Sequence, residues 1–266
     1  MPEGDTVRRT ARTMDAALTG RVLERAELRW PSAVGVDLTG RTVLSTWSYG
    51  KHLLTRVDDG RTLHTHLRME GSWAIARTGS PAAAARSPYV RAVLGNAVWT
   101  AVGDRLGMLD VVPSRDEHTL IGHLGPDVLD DAFATDGLPE ALRRAAARGS
   151  APIAEVLLDQ TVLAGIGTIW TAEPLFLLRI WPWTPTDEVP DLPGLLLTTQ
   201  RLMARSVAST GAPAATGEGG RGLTNNVHSR RGRPCRRCGT PIERGVARKP
   251  PMERPIFYCP RCQAPR

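Results

Sequence analysis

Residues 235–262 read CRRCGTPIERGVARKPPMERPIFYCPRC. They hold all four cysteines of the chain, Cys235, Cys238, Cys259 and Cys262, in the pattern C-x2-C-x20-C-x2-C. Two CxxC knuckles at that separation are a strong signature of tetrahedral zinc, because each knuckle offers two thiolates to one ion. A pair of disulfides is the alternative and requires an oxidising compartment; an iron–sulfur cluster is a weaker rival. Between the knuckles, TPIERGVARKPPMERPIFY has the alternation and the Pro/Gly turns of a β-hairpin rather than of a recognition helix. The segment therefore predicts a zinc ribbon with one structural zinc per chain, all four ligands being protein thiolates and no position being left for a water. So short a segment buries little apolar surface, so the metal is expected to hold it folded.

Upstream of the ribbon, GAPAATGEGGRG (residues 211–222) has the composition of a linker. Before it, from about residue 129 to 210, the apolar spacing turns helical: LPEALRRAAARG, PIAEVLLDQTVLAGIG, TIWTAEPLFLL and GLLLTTQRLMARSVAST. Earlier still come eight strand-like runs rich in Val, Leu, Trp and Thr, separated by Gly, Asp or Pro: RVLERAELRW, RTVLSTW, HLLTRVDD, RTLHTHLRM, GSWAIAR, YVRAVLG, AVWTAVG and GMLDVVP. They predict an antiparallel sandwich or barrel, with TGSPAAAARSP, around residues 82–86, as a mobile loop. A helix over residues 5–18 opens the chain, with Asp5 as its N-cap.

The 266 residues carry a formal charge of +7, distributed unevenly. Residues 201–266 contain 14 Lys plus Arg against 3 Asp plus Glu, a balance of +11, whereas the first 200 residues sum to −4. An Arg-rich quarter suits a polyanion, because guanidinium contacts phosphate in a bidentate way. With 41% hydrophobic residues the composition is globular, and no run approaches the roughly 18 apolar residues of a membrane span. MPEGDTVRRT mixes charges of both signs without an apolar stretch, so no secretory signal is expected. A cytoplasmic protein follows.

The first residues have chemistry of their own. A Met–Pro start is normally processed, which would leave Pro2 as a secondary amine. α-Amino groups titrate near pH ~8, so a useful fraction is neutral and nucleophilic in the cell. A secondary amine can attack carbon and form an iminium ion, an electron sink for eliminations. Glu3 and Lys51 are candidates to move protons around such an intermediate.

Taken together, these features resemble the Fpg/Nei DNA glycosylases, in particular the endonuclease VIII-like branch, over essentially the whole chain. MPEG is like the family's N-terminal signature, and YGKHLLTR, with Lys51, like its β-hairpin lysine motif. HLRMEGSW resembles the strand and turn of its intercalating residues. LLDQTVLAGIGTIWTAEPLFLLRIWP resembles its helix-two-turn-helix, and GRPCRRCGTPI with RPIFYCPRCQ its zinc finger. The resemblance implies an α+β multidomain architecture: an N-terminal antiparallel β-sandwich with an N-terminal helix (residues 1–122), a helix-two-turn-helix domain (123–222) and a C-terminal zinc-ribbon finger (223–266).

It also implies a division of labour. Pro2 is the nucleophile towards C1′ of a flipped nucleotide, Glu3 protonates the sugar ring oxygen, and Lys51 holds the phosphate beside the lesion. Met69 fills the space left by the flipped base. Gly165 and Gly167 form a turn whose N–H groups, together with Thr168, grip a phosphate, and Arg254 at the finger tip reaches the backbone across the lesion. Two positions depart from the family pattern: Thr6 stands where a second Glu is common, and Thr168 where Asn is common.

The implied activity is that of a bifunctional DNA glycosylase and abasic-site lyase of base excision repair. It would excise oxidised bases, pyrimidines foremost, through a Schiff base and cleave the strand by β,δ-elimination. The partner is double-stranded DNA containing damaged bases or abasic sites; the chain is expected to be monomeric, free of membrane and bound to the nucleoid. A catalytically silent zinc-finger DNA-binding protein of the same fold is the alternative. An N-terminal-proline tautomerase explains neither the ribbon nor the basic quarter.

Overall fold

The computed structural model describes residues 2–209, 225–248 and 251–265. The expected linker at 211–222, the expected boundary at 222/223 and Met1 lie outside them. The described residues divide into two compact units, one comprising Pro2 with residues 6–123 and the other comprising residues 3–5 with those from 124 onward.

All eight strand-like runs form strands in the first unit: β1 (Arg25–Leu28), β2 (Val43–Tyr49), β3 (His52–Val57), β4 (Arg61–His66), β5 (Ser72–Arg77), β6 (Val90–Gly95), β7 (Trp99–Asp104) and β8 (Met108–Pro113). They pair antiparallel in two four-stranded sheets, ordered β2-β3-β4-β8 and β1-β6-β7-β5. Leu53, Leu63 and Leu109 of one sheet and Ala92, Leu94 and Ala101 of the other bury into one core. Helix α1 (Gly4–Leu18) adds Val7, Ala11, Met14 and Leu18, spaced by the three to four residues of a helical face. The result is a sandwich, not a barrel.

Two local expectations are corrected. Asp5 is not an N-cap: α1 starts at Gly4, and the Asp5 carboxylate, 1% exposed, accepts a hydrogen bond from Ser206 Oγ at 2.6 Å. Residues 82–86 are not a loose loop, because Ala82–Ala84 form a 3-10 turn with Ala83 and Ala85 buried. Arg25 donates to the Ala83 carbonyl and Arg29 to that of Ala85, so an alanine run without large side chains packs as a flap.

Helix α2 (His118–Ile121) lies late in the first unit; the second contains α3 (Leu138–Ala146), α4 (Ile153–Leu157), α5 (Thr168–Leu177) and α6 (Leu192–Ala208). The helical pattern of 152–167 breaks early. Asp159 Oδ1 accepts from both the N–H and the hydroxyl of Thr161, which favours a turn over another helical residue. The ribbon is the antiparallel pair β9 (Glu243–Ala247) and β10 (Arg254–Tyr258). Its Cys235, Ile242, Ala247, Ile256 and Cys259 join Trp170, Leu175, Phe176, Leu195 and Met203 in one core. Glu173, fully buried on α5, accepts the backbone N–H groups of Asn226, Val227 and His228 and so fixes the chain entering the ribbon. Among the described residues, no helix is long and apolar enough to cross a membrane.

Candidate functional site

The start of α5 is closed by a carboxylate. Its first N–H groups have no partner within the helix and carry the positive end of the helix dipole. The Glu3 carboxylate, 2% exposed, takes them: Oε1 accepts from Ile169 N–H at 2.8 Å, and Oε2 from Gly167 N–H at 3.0 Å and Trp170 N–H at 3.3 Å. The Thr168 hydroxyl stands 3.5 Å from Oε1. Each of these donors suits the ionised carboxylate, which only accepts.

Two glycines make this approach feasible. A Cβ on Gly167 would lie 2.4 Å from Glu3 Cδ. Gly165 has φ +102°, a region L side chains rarely adopt, and its carbonyl accepts the Gly4 N–H at 2.9 Å. A Cβ on Gly4 would in turn come within 2.9 Å of Gly165 Cα. The reading of Gly165, Gly167 and Thr168 as a phosphate grip is narrowed by two bonds: the Gly167 N–H donates to Glu3 Oε2 and the Gly165 N–H to Gln160 Oε1, and all three residues are buried.

Pro2, partly exposed, directly precedes Glu3. Lys51 lies in the first unit, in the two-residue turn between β2 and β3. Beside it the structure assembles a histidine array that the sequence reading missed. In the β3–β4 register His52 lies opposite His66, and His64 is two residues away on the same face. His52 Nδ1 and His64 Nε2 are 2.8 Å apart with their rings stacked, and the His66 ring meets His52 edge-on. Burial, then the neighbouring histidines and Lys51, push His52 down to about 3. Burial, then Lys51 and Arg68, push His66 down to about 4. His64 is also lowered by burial, although Asp110, 3.5 Å from its Nδ1, opposes the shift. The array is neutral at cellular pH and lines the Lys51 turn with imidazole.

Met69 is 67% exposed on the turn after β4, between Arg68 (φ +51°) and Glu70. Met69 is therefore not a core residue. Arg254, partly exposed, opens β10 opposite Ala247, next to the hairpin tip. The four cysteine sulfurs lie within 4.8 Å of one another and form no disulfide, so the disulfide reading falls. Cys235 and Cys262 Sγ are 3.9 Å apart, and Cys238 and Cys259 Sγ 3.5 Å. Thiolates about 2.3 Å from a tetrahedral zinc would be about 3.8 Å apart, so the cluster fits a metal of that size.

The chain is similar to several known proteins. Residues 1–107 match the model of the formamidopyrimidine-DNA glycosylase N-terminal domain. A Streptomyces coelicolor protein named "Probable endonuclease 8 2" is 43% identical, the match covering 99% of this chain and 94% of that protein. The "DNA-(apurinic or apyrimidinic site) lyase Nei2" of Mycolicibacterium smegmatis is 37% identical over 99% of each chain. Among solved structures, Lactococcus lactis Fpg in complex with DNA containing an oxidised pyrimidine superposes with a TM-score of 0.81 at 24% identity, covering 99% of this chain and 100% of that one.

Proposed function

The chain belongs to the Fpg/Nei family of DNA glycosylases, in its endonuclease VIII-like branch, and on that premise we propose that it is a bifunctional DNA glycosylase and abasic-site lyase of base excision repair. Its substrate is double-stranded DNA carrying oxidised bases, pyrimidines foremost, or abasic sites, met at the nucleoid in the cytoplasm. The observation that carries the reading is Glu3: a buried carboxylate held by three backbone N–H groups, one peptide bond from Pro2.

The chemistry follows from that neighbour relation. The Pro2 nitrogen forms a bond to C1′ of the flipped nucleotide as the base leaves with a proton. The nitrogen must then shed its own proton, which the Glu3 carboxylate receives. Glu3 passes the proton to the ring oxygen; the C1′–O4′ bond breaks and an iminium ion remains on Pro2. Loss of a proton from C2′ expels the 3′ phosphate, and a second elimination expels the 5′ phosphate. Lys51 holds a phosphate beside the lesion, and Met69 fills the stack that the flipped nucleotide vacates. Gly167 and Thr168 act on DNA through the Glu3 carboxylate they hold in place and Gly165 through the turn that binds Gly4, while Arg254 contacts the backbone from the ribbon.

Cys235, Cys238, Cys259 and Cys262 would hold one zinc ion. With four protein sulfurs it supplies no reactive position and serves to fix the ribbon.

Borohydride trapping on abasic duplex tests the reading. Wild-type protein should give a covalent protein–DNA adduct, and Pro2→Gly should lose trapping and strand cleavage by at least about a hundredfold, the scale of removing a nucleophile, while still binding duplex. A wild-type chain that binds but never traps would be the silent binding protein; trapping that survives Pro2→Gly and is lost in Lys51→Gln would move the nucleophile to Lys51.

A further inference from the structure

Three consecutive residues after Pro2 are each fastened at a different point of the second unit. Glu3 is held by the start of α5, Gly4 by the Gly165 carbonyl, and Asp5 by Ser206 near the end of α6. The last contact is the least expected. Asp5 and Ser206 are 201 residues apart and both 1% exposed, and 2.6 Å lies in the range of a hydroxyl bound to a carboxylate. Burying a carboxylate is unfavourable unless it is well partnered, so a residue with no evident gain for packing occupies this site. Nor does Asp5 replace the carboxylate missing at Thr6, since it is turned into the protein and bound there.

We propose that Asp5 and Ser206 are positioning residues for the Pro2 amine. This rests on the reading of Pro2 as the nucleophile. Consecutive Cα atoms are about 3.8 Å apart, so anchors at residues 3, 4 and 5 leave the amine little freedom. With Asp5 released, the first turn of α1 can unwind towards Pro2, and misplacement by about 1 Å can slow a reaction by about a hundredfold. The pair touches neither substrate nor reacting atom; it works through the backbone.

The experiment compares Ser206→Ala, Ser206→Thr and Asp5→Asn in the full chain on duplex containing a preformed abasic site. The readouts are the single-turnover trapping rate at saturating protein, duplex Kd and Tm. Ser206→Ala should lower the rate about tenfold or more with Kd within about twofold, and Ser206→Thr, which keeps the hydroxyl, should restore most of it. Asp5→Asn keeps an acceptor without the charge and should fall between them, because charge-assisted hydrogen bonds are about twice as strong as neutral ones. Should Ser206→Ala not fold, Asp5→Asn decides: a slower rate at unchanged Kd supports positioning. Wild-type trapping rates in Ser206→Ala or, failing that, Asp5→Asn overturn the proposal. So does a rate loss matched by an equal loss of affinity. Pro2→Gly run alongside separates the two claims: if it traps normally, the nucleophile reading fails whatever Ser206 does.

Discussion

Gly167 has no room for a side chain, and the reason lies at the other end of the chain. A methyl there would meet Glu3 Cδ at 2.4 Å and Oε1 at 2.6 Å, so the carboxylate would have to leave its three N–H donors. Overpacking of this kind costs about 1–3 kcal/mol, and the stranded N–H groups add to it. Gly167→Ala should therefore lower abasic-site cleavage by about tenfold or more while duplex affinity stays within a few-fold, because the ribbon arginines and Met69 are untouched. Full lyase activity in that variant would show that the held carboxylate is not needed. The turn itself was legible: two glycines between helical runs mark a sharp reversal. Its partner was not. The family resemblance made the turn a phosphate grip, and nothing local indicates that a carboxylate from 164 residues upstream accepts the Gly167 N–H.

At the scale of elements, alternation of apolar residues disclosed all eight strands, since each strand of a sandwich has one buried face. The strand order β1-β6-β7-β5 was not disclosed, because it depends on which strands meet rather than on any one pattern. The histidine array shows the same limit. His64 and His66 share a face by the two-residue period, but only the register brings His52 opposite His66. The array has a measurable consequence. Histidines held down at about 3 and about 4 bind no proton in the folded sheet at pH 5, whereas in the unfolded chain, at the ordinary value near 6.5, they do. The unfolded state thus binds more protons, so the stability these groups confer is complete above pH ~6.5 and is lost as pH falls towards 4 and 3. Denaturant unfolding of the full chain between pH 7 and 4 should show the sheet transition weakening, and His52→Gln with His66→Gln should flatten that dependence. An unchanged acid slope in the double variant would mean that other groups dominate.

At the scale of the molecule, the ribbon shares the core of the helices. Sequence composition marked the ribbon as too small to fold without metal, and the linker before it suggested a module on a tether. The structure shows its Ile242, Ala247, Ile256 and two cysteines inside the helical core, with Glu173 gripping the incoming chain. Loss of metal should therefore reach further than the hairpin. Without the cation that joins the four sulfurs, the hairpin opens and the face of α5 against β10 loses apolar contact. The sheet core shares none of these residues and should be spared. Metal analysis should find one zinc per chain. Chelation, or Cys238→Ser, should lower the helical–ribbon unfolding transition by about 10 °C or more, given that metal sites of this kind contribute several kcal/mol and that 1 kcal/mol shifts a domain of such size by about 2–4 °C. The sheet transition should stay within about 2 °C, below that same 1 kcal/mol equivalent. Duplex binding should fall with the ribbon, because that end holds the +11 balance, and the slope of log affinity against log salt should become shallower as phosphate contacts are lost. Absence of zinc from the native protein, or two transitions that move together on chelation, would break the link between metal, helical core and DNA affinity.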